Sequence, residues 1–230
     1  MGKSIEIDEM REYLEEIGYE FVGAQYVPLI PSSPPTTQLS WLKKKNVDLT
    51  LGVMINAGSQ PTIKEAVRLD MGPHLSHKIT FGFASPSHLG MFCPDMGKVG
   101  DGTVVAGSYP TMDDLAVRGI QFCNDLQAKY RPDKPIPHIM YPHGMIEIMT
   151  QVEALRLALV AVPFDKLKPV DVLEHGFLKI KNLDTGDLSS TPLTYGPGKI
   201  EGVDKVRVDQ AQNGKPVKLG TWPCRGLYKH

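Results

Sequence analysis

The chain has 230 residues, of which 41% are hydrophobic and 22% are charged, and its formal net charge is −1. These values are typical of a globular protein with one or two domains, and they disfavour nucleic-acid binding, which a basic excess would indicate. No apolar run approaches the roughly 18 residues of a membrane span. The amino-terminal segment MGKSIEIDEM has no apolar core of a secretory signal.

Apolar patterning in the first half predicts alternating helices and strands. Some segments have helical spacing, and continuous apolar runs such as VDLTLGVMI are typical of strands buried on both faces. The predicted elements are a helix over 4–17, a strand over 19–27, a helix over 37–45, a strand over 47–55, a helix over 61–71, a strand over 78–84, a short helix after Pro86 and a strand over 102–110. This alternation predicts the α/β class with a parallel sheet.

The second half is predicted to be mainly helical. Amphipathic or apolar patterns predict helices over 111–130, 143–162 and 169–179. A β pattern begins after residue 182, and it ends in a hairpin around Asn213-Gly214, a dipeptide that favours tight turns. We therefore divide the chain into an α/β lobe over 1–109 and a region over 110–230, in which the helices have few strands to cover.

The sequence offers no strong sign of catalysis. It contains no GxSxG, GxxxxGK[ST] or HExxH pattern, and its segment GPGKIEG opens no helix that could hold a phosphate. His74 and His77 lie in a predicted loop with a proline between the helix stop and the first histidine, so loop positions are favoured over metal ligands. Cys93, Cys123 and Cys224 have no zinc-ligand spacing, and buried free thiols are favoured over a Cys93–Cys123 disulfide. We predict a protein that is not an enzyme and holds no metal or cofactor.

Binding positions are predicted where the parallel strands end, because ligands of open α/β sheets lie beyond the carboxyl ends of the strands. Asn56, Ser85 and Tyr109 stand at or next to these ends. The amide of Asn56 and the hydroxyl of Ser85 can bond polar groups of a solute, and the ring of Tyr109 can pack on its body. The alternative is that Asn56 and Ser85 cap the helices that follow them, and that Tyr109 has no ligand role.

Three segments carry a family resemblance. They are EMREYLEEIGYEFVGAQYVP, TTQLSWLKKKNVDLTLGVMINAGSQPTIKEAVRLDMG and, near the end, LDTGDLSSTPLTYGPGKIEGVDKVRVDQAQNGKPV. Their order and spacing resemble leucine-binding-type (branched-chain amino-acid) solute-binding proteins of ABC transporters, from Gly2 to about Trp222. The resemblance implies a type I periplasmic-binding-protein fold, in which two α/β lobes hold a solute between them and close by a hinge motion.

The resemblance also implies which parts of that fold are present. Residues 1–109 match the second lobe without its first strand. Residues 110–230 match the return helices, crossing strands and terminal β-hairpin of an incomplete first lobe. We therefore interpret the chain as the later part of such a protein.

Two family contact positions can be carried over to this sequence. The first maps to Asn56 or Ala57 and the second to Ala84 or Ser85. Amino-acid binders are expected to have an aromatic residue at the first and an acidic residue at the second, and this chain has neither. An amide, a urea-like compound, an aromatic acid or another small polar solute therefore suits the site as well as an amino acid does.

The expected function is that of the solute-binding component of an ABC uptake transporter for amino acids or related small polar compounds. Its partners would be the solute and an ABC permease, with no nucleic acid. Its location would be periplasmic or extracellular, although the absent signal leaves cytoplasmic expression of the fragment open. Uncovered apolar faces on the helices within 112–130 and 143–162 predict a homodimer or a covering partner chain. The alternatives are a ligand-sensing regulator of the same fold, a remnant that binds nothing, and an enzyme whose site has no recognisable motif.

Overall fold

The structure, a computed structural model, describes residues 8–84, 88–107, 109–112, 114–134, 140–200 and 202–223. The chain divides into two compact units. The first comprises Met1–Ser108 and Arg207–Gly220, and the second comprises Tyr109–Val206 and Thr221–His230. Each unit has its own hydrophobic core.

The first unit is an α/β layer built on a five-stranded sheet. Its elements are α1 (Asp8–Glu16), α2 (Thr36–Lys44), β1 (Leu49–Val53), α3 (Asn56–Arg68), β2 (Thr80–Ala84), α4 (Leu89–Met96), β3 (Val104–Ala106) and the hairpin strands β4 (Lys205–Gln212) and β5 (Lys215–Pro223). The strand order is β1-β2-β3-β4-β5; β1, β2 and β3 are parallel, and β4 is antiparallel to β3. The predicted α/β class with a parallel sheet is therefore confirmed.

The core of the first unit lies on one face of this sheet. Phe81 and Phe83 of β2 and Val105 of β3 point to that face, because alternate residues of a strand share a side. They are at most 5% exposed, and they belong to one buried cluster with Ile63 of α3 and Phe92 of α4. Burial of this cluster holds the two helices against the sheet and fixes the register of the strands.

Residues 19–27 form no strand, contrary to the prediction. α1 ends just before Gly18, as expected, and the φ of Gly18 is 88°, which suits the left-handed turn at a helix end. Farther on, Gly23 has a φ of 135°, and Tyr19 and Tyr26 are 49% and 42% exposed. No described segment pairs with these residues as a neighbouring strand. The local strand preference is therefore not supported by hydrogen bonds or burial.

The terminal hairpin, which the sequence groups with residues 110–230, joins the sheet of the first unit. Its strand β4 pairs with β3, and most of the hairpin belongs to the first compact unit. At the tip, Asn213 and Gly214 have φ values of 52° and 71°. Two successive residues with positive φ form the tight turn that this dipeptide predicts.

The second unit is mainly helical. Its elements are α5 (Arg118–Tyr130), α6 (Met140–Ala161) and a composite segment made of α7 (Pro169–Asp171), a π turn (Val172–Gly176) and a 3-10 turn (Phe177–Lys179). The helices predicted over 143–162 and 169–179 are confirmed, whereas the helix predicted over 111–130 begins only at Arg118. Within the described residues 183–199, strand-like pairing is limited to two isolated bridges. The predicted β pattern there is therefore only weakly realised.

Helix α6 is apolar on both of its sides. On one side Ala154 and Ala158 are fully buried. The other side carries four apolar side chains that are 43% to 59% exposed, and these are Ile148, Val152, Leu155 and Leu159. These exposed side chains form the uncovered apolar face that the sequence predicts for this helix. A helix with apolar residues on both sides is typical of an element that is buried on both sides. In the described part of the chain, no helix combines the length and the hydropathy needed to cross a membrane.

Candidate functional site

The carboxyl ends of the three parallel strands lie side by side. Val53 of β1 pairs with Ala84 of β2, and Ala84 pairs with Ala106 of β3. Ala84 is exposed, and so is Ala57 in the first turn of α3. The structure thus places two predicted contact positions at the edge of the sheet where ligands of this architecture bind. Ser85 lies outside the described residues, so its role stays a prediction.

Asn56 is buried, and its amide is used inside the protein. Its Oδ1 accepts a hydrogen bond from the backbone N–H of His88 (2.9 Å), and its Nδ2 donates one to the carbonyl oxygen of His88 (3.1 Å). The N-cap of α3 is Ile55, with no side-chain cap, so the alternative that Asn56 caps this helix is wrong. The amide instead ties the start of α3 to the residue that precedes α4. A solute would have to compete with both hydrogen bonds to use it.

A largely buried ion pair on β4 lies beside the end of β3, and its residues are not among the positions predicted from the sequence. The Nε of Arg207 lies 2.9 and 3.0 Å from the two carboxylate oxygens of Asp209, and their side chains are 12% and 2% exposed. Asp209 pairs with Val105, and the carbonyl oxygen of Arg207 accepts the N–H of Gly107. Side chains two residues apart in a strand point to the same face. The i, i+2 spacing of the opposite charges of Arg207 and Asp209 is therefore the sequence signal that could have identified the pair.

Tyr109 lines a pocket of about 340 Å³ in the second unit, which we call the Tyr109 pocket. Its walls include Tyr109, His143, Glu147, Phe177, Leu193 and Tyr195. The ring of Tyr109 stacks on that of His143, with centroids 4.8 Å apart and planes inclined by 17°. Phe177 and Tyr195 meet edge to face at 6.2 Å. The predicted role of Tyr109, packing against the body of a solute, is therefore compatible with its position.

A carboxylate gives the Tyr109 pocket its charge. Oε1 of Glu147 lies 3.2 Å from Nε2 of His143, one helical turn away on α6. The pKa of the Tyr109 hydroxyl is raised, first by burial and then by the negative charge of Glu147 and by Tyr195. All three causes favour the neutral phenol. The site therefore combines aromatic rings, an uncharged hydroxyl and one carboxylate.

Metal-binding and thiol chemistry have little support in the described residues. They contain no group of three or more His, Cys, Asp or Glu side chains that could hold a metal ion. Cys93 and Cys123 are free thiols, and both are buried. Burial raises the pKa of each, that of Cys93 to about 11 with a contribution from the charge of Asp101. Cys224 lies outside the described residues.

Comparisons with known proteins give matches at the level of structure. No protein-family model matches the sequence, and no curated protein matches it. A branched-chain amino acid ABC transporter protein from Thermus thermophilus, solved with bound valine, is similar over 94% of this chain and 56% of its own, with a TM-score of 0.73 and 18% identity.

Two further solved structures have the same fold. A fatty acid ABC transporter substrate-binding protein from Thermomonospora curvata matches 96% of this chain and 54% of its own, with a TM-score of 0.71 and 15% identity. An extracellular ligand-binding receptor from Rhodopseudomonas palustris matches 95% of this chain and 60% of its own, with a TM-score of 0.69 and 19% identity.

These likenesses establish the fold. The chain spans between 54% and 60% of the length of the three solved proteins, while almost all of its own length is matched. Two of these structural neighbours are named as ABC transporter proteins, and one of the two is named as a substrate-binding protein. The chain therefore carries part of the type I periplasmic-binding-protein fold, as its sequence predicts.

Proposed function

We propose that this chain binds a small solute for an ABC-type uptake system, with an amino acid, an amide or a related small polar compound as the solute. The observation that carries the proposal is the fold, which extends over 94% of the chain in the likeness to the valine-bound Thermus thermophilus protein. An ABC permease is the partner that this role requires. A periplasmic or extracellular location agrees with the likeness to an extracellular receptor.

The exposed positions at the strand ends support a binding surface in the first unit. Ala57 and Ala84 are exposed, small and uncharged, so their side chains leave room for a solute beside the strand ends. Neither residue can pair with an ammonium group. Recognition at this edge would therefore depend on shape and on hydrogen bonds, which a small pocket can supply.

The solute class is a separate question from the fold. Among the similar structures, one protein is solved with valine and another is a fatty acid ABC transporter substrate-binding protein. One architecture thus serves chemically different solutes, as is common for widely used folds. The missing acidic residue at the strand ends favours amides and other neutral polar compounds beside amino acids.

A thermal-shift screen against amino acids, amides and aromatic acids tests the proposal. A solute that binds only the folded state, at about 100 times its Kd, stabilises it by about 2.7 kcal/mol and raises the Tm. Calorimetric titration then gives the Kd of each compound that shifts the Tm. Failure of every compound to shift the Tm of the folded chain would count against solute binding by this chain.

Bulky substitutions test the site. Ala84→Trp and Ala57→Trp should weaken binding of the identified solute by about tenfold or more, because an indole would occupy the space beside the carboxyl ends of β1 and β2. Ala128→Trp is the matched control, since Ala128 is an exposed alanine on α5 in the other unit. Circular dichroism confirms that each variant folds. Unchanged affinity in both strand-end variants would place the solute elsewhere.

A further inference from the structure

We propose that the Tyr109 pocket is itself a binding site for a small organic cation, an ammonium group attached to an apolar or aromatic body. The described residues that form it all belong to the second unit. The proposal therefore does not depend on solute binding at Ala57 and Ala84, nor on a role in transport. With about 340 Å³, the pocket lies at the lower end of the sizes typical of small-molecule sites.

The aromatic walls favour a cation over a neutral solute of the same shape. Tyr109, Phe177 and Tyr195 line the pocket together with the imidazole of His143. An aromatic ring carries partial negative charge on its face, so it attracts a cation that has lost part of its water. Two pairs of mutually packed rings, Tyr109 with His143 and Phe177 with Tyr195, hold these walls in place.

The charge of the walls acts in the same direction. Glu147 is the only acidic residue among the described lining residues, and these include no lysine or arginine. Its side chain is 60% exposed, so the carboxylate is accessible to a solute beside its contact with His143. An ammonium group can pair with this carboxylate, whereas a solute carboxylate would be repelled by it.

The rest of the pocket suits an apolar body. Ile146, Leu193 and Val203 add aliphatic surface to the aromatic walls. Two of the lining hydroxyls are already engaged: Thr150 donates to the carbonyl oxygen of Ile146 at 2.7 Å, and Ser189 donates to that of Thr191 at 2.7 Å. The pocket thus presents one charged acceptor on a mostly apolar surface, which suits an apolar body better than a strongly polar solute such as a sugar.

Calorimetric titration with three probes of matched shape tests the proposal. Benzylamine, benzyl alcohol and benzoate differ mainly in charge. For the unmodified chain we expect benzylamine to bind about tenfold more tightly than benzyl alcohol. Benzoate should not bind in the Tyr109 pocket, so any benzoate binding to the chain should be weakened by Ala84→Trp and not by Glu147→Gln. Equal binding of the amine and the alcohol, or no binding of the amine, would overturn the proposal without any variant being made.

Two variants locate the site. Glu147→Gln removes the charge and should weaken benzylamine binding about tenfold while leaving the alcohol unaffected. Glu174→Gln makes the same change at an exposed glutamate outside the pocket and should leave both affinities unchanged. Equal losses in both variants, or none in Glu147→Gln, would show that the amine binds elsewhere.

The strand-end variant separates this proposal from the proposed function. Ala84→Trp should leave benzylamine binding intact, because Ala84 is not part of the pocket. If the chain binds a solute whose affinity Ala84→Trp weakens, but does not bind benzylamine, only the proposed cation site is refuted. A chain that binds benzylamine and none of the amino acids, amides or aromatic acids would refute only the proposed function.

Discussion

Asn56 and His88 are joined by two hydrogen bonds, although 32 residues separate them in the chain. The amide of Asn56 serves both backbone groups of His88, accepting from its N–H and donating to its carbonyl oxygen. Asn56 starts α3 and His88 immediately precedes α4, so one side chain connects the segments that follow β1 and β2. This connection lies at the edge of the sheet that we propose as a binding surface.

Asn56→Ala should destabilise the first unit. The substitution removes the acceptor of the buried His88 N–H, which costs about 1–3 kcal/mol, whereas the His88 carbonyl keeps its bonds from the N–H groups of Met91 and Phe92. Urea denaturation measures the change in the free energy of unfolding. The control is Lys64→Ala on the exposed side of the same helix, which should change that free energy by less than about 0.5 kcal/mol. Equal effects of the two substitutions would contradict the role assigned to Asn56.

Glu65 should make the chain sensitive to acid. Hydrogen bonds from Arg68 and Thr36 lower its pKa from 4.5 to about 2. Because the folded state stabilises the ionised form of Glu65 relative to the unfolded state, this contribution to the free energy of unfolding is fully present above the unfolded pKa. It is lost as the pH falls from about 5 towards 2.

Glu65→Gln should therefore flatten the pH dependence of stability in this window. Urea denaturation at a series of pH values gives the free energy of unfolding for each variant. Glu12→Gln, at an exposed glutamate of α1, is the matched control and should keep the slope of the unmodified chain. An unchanged slope in Glu65→Gln would mean that another carboxylate causes the acid sensitivity.

The parts of the fold that follow from local pattern were predictable from the sequence. The continuous apolar run before Asn56 predicts a parallel strand, which β1 is, and Asn213-Gly214 predicts the hairpin tip. The burial of that strand on both faces is wrongly predicted, since Leu51 and Val53 are 55% and 38% exposed. Residues 19–27 show the limit of such reasoning, because a strand needs a neighbouring strand as well as a suitable pattern. The pairing of the hairpin strand β4 with β3 is likewise a tertiary contact, which no local sequence pattern specifies.

The candidate site was less predictable than the fold. The strand ends could be located, but the partner of Asn56 is a backbone distant in sequence, and side-chain type alone does not reveal it. The Tyr109 pocket is assembled from separate segments, with Glu147 on α6 and Tyr195 in a later loop. Of the residues that line this pocket, the sequence singles out only Tyr109, because it stands at the end of a predicted strand.

The buried thiols should react slowly in the folded chain. Burial raises the pKa of Cys93 and Cys123, and the thiolate is the reactive form. In a Cys224→Ser variant, a thiol reagent such as Ellman's reagent at pH 8 should modify both about a hundredfold more slowly than in denaturant. Rapid modification of two thiols in the folded variant would contradict the burial of these residues.

Gly176 and Gly144 should respond in opposite directions to the same substitution. A Cβ at Gly176 would lie 2.3 Å from the carbonyl oxygen of Ala154 on α6, a backbone atom that cannot move without shifting the helix. Gly176→Ala should therefore cost about 3 kcal/mol, as severe overpacking does. Gly144 lies inside α6, and a Cβ there would meet nothing within 4 Å. Gly144→Ala should instead stabilise the helix by about 0.5–1 kcal/mol.

Thermal and urea denaturation of the two variants compare the effects directly. Because both changes add one methyl group, their difference isolates the close approach of the π turn to α6. A near-neutral Gly176→Ala would mean that this contact is looser than 2.3 Å implies. A destabilising Gly144→Ala would mean that another surface covers this part of the helix, since an open site gains from the higher helix propensity of alanine.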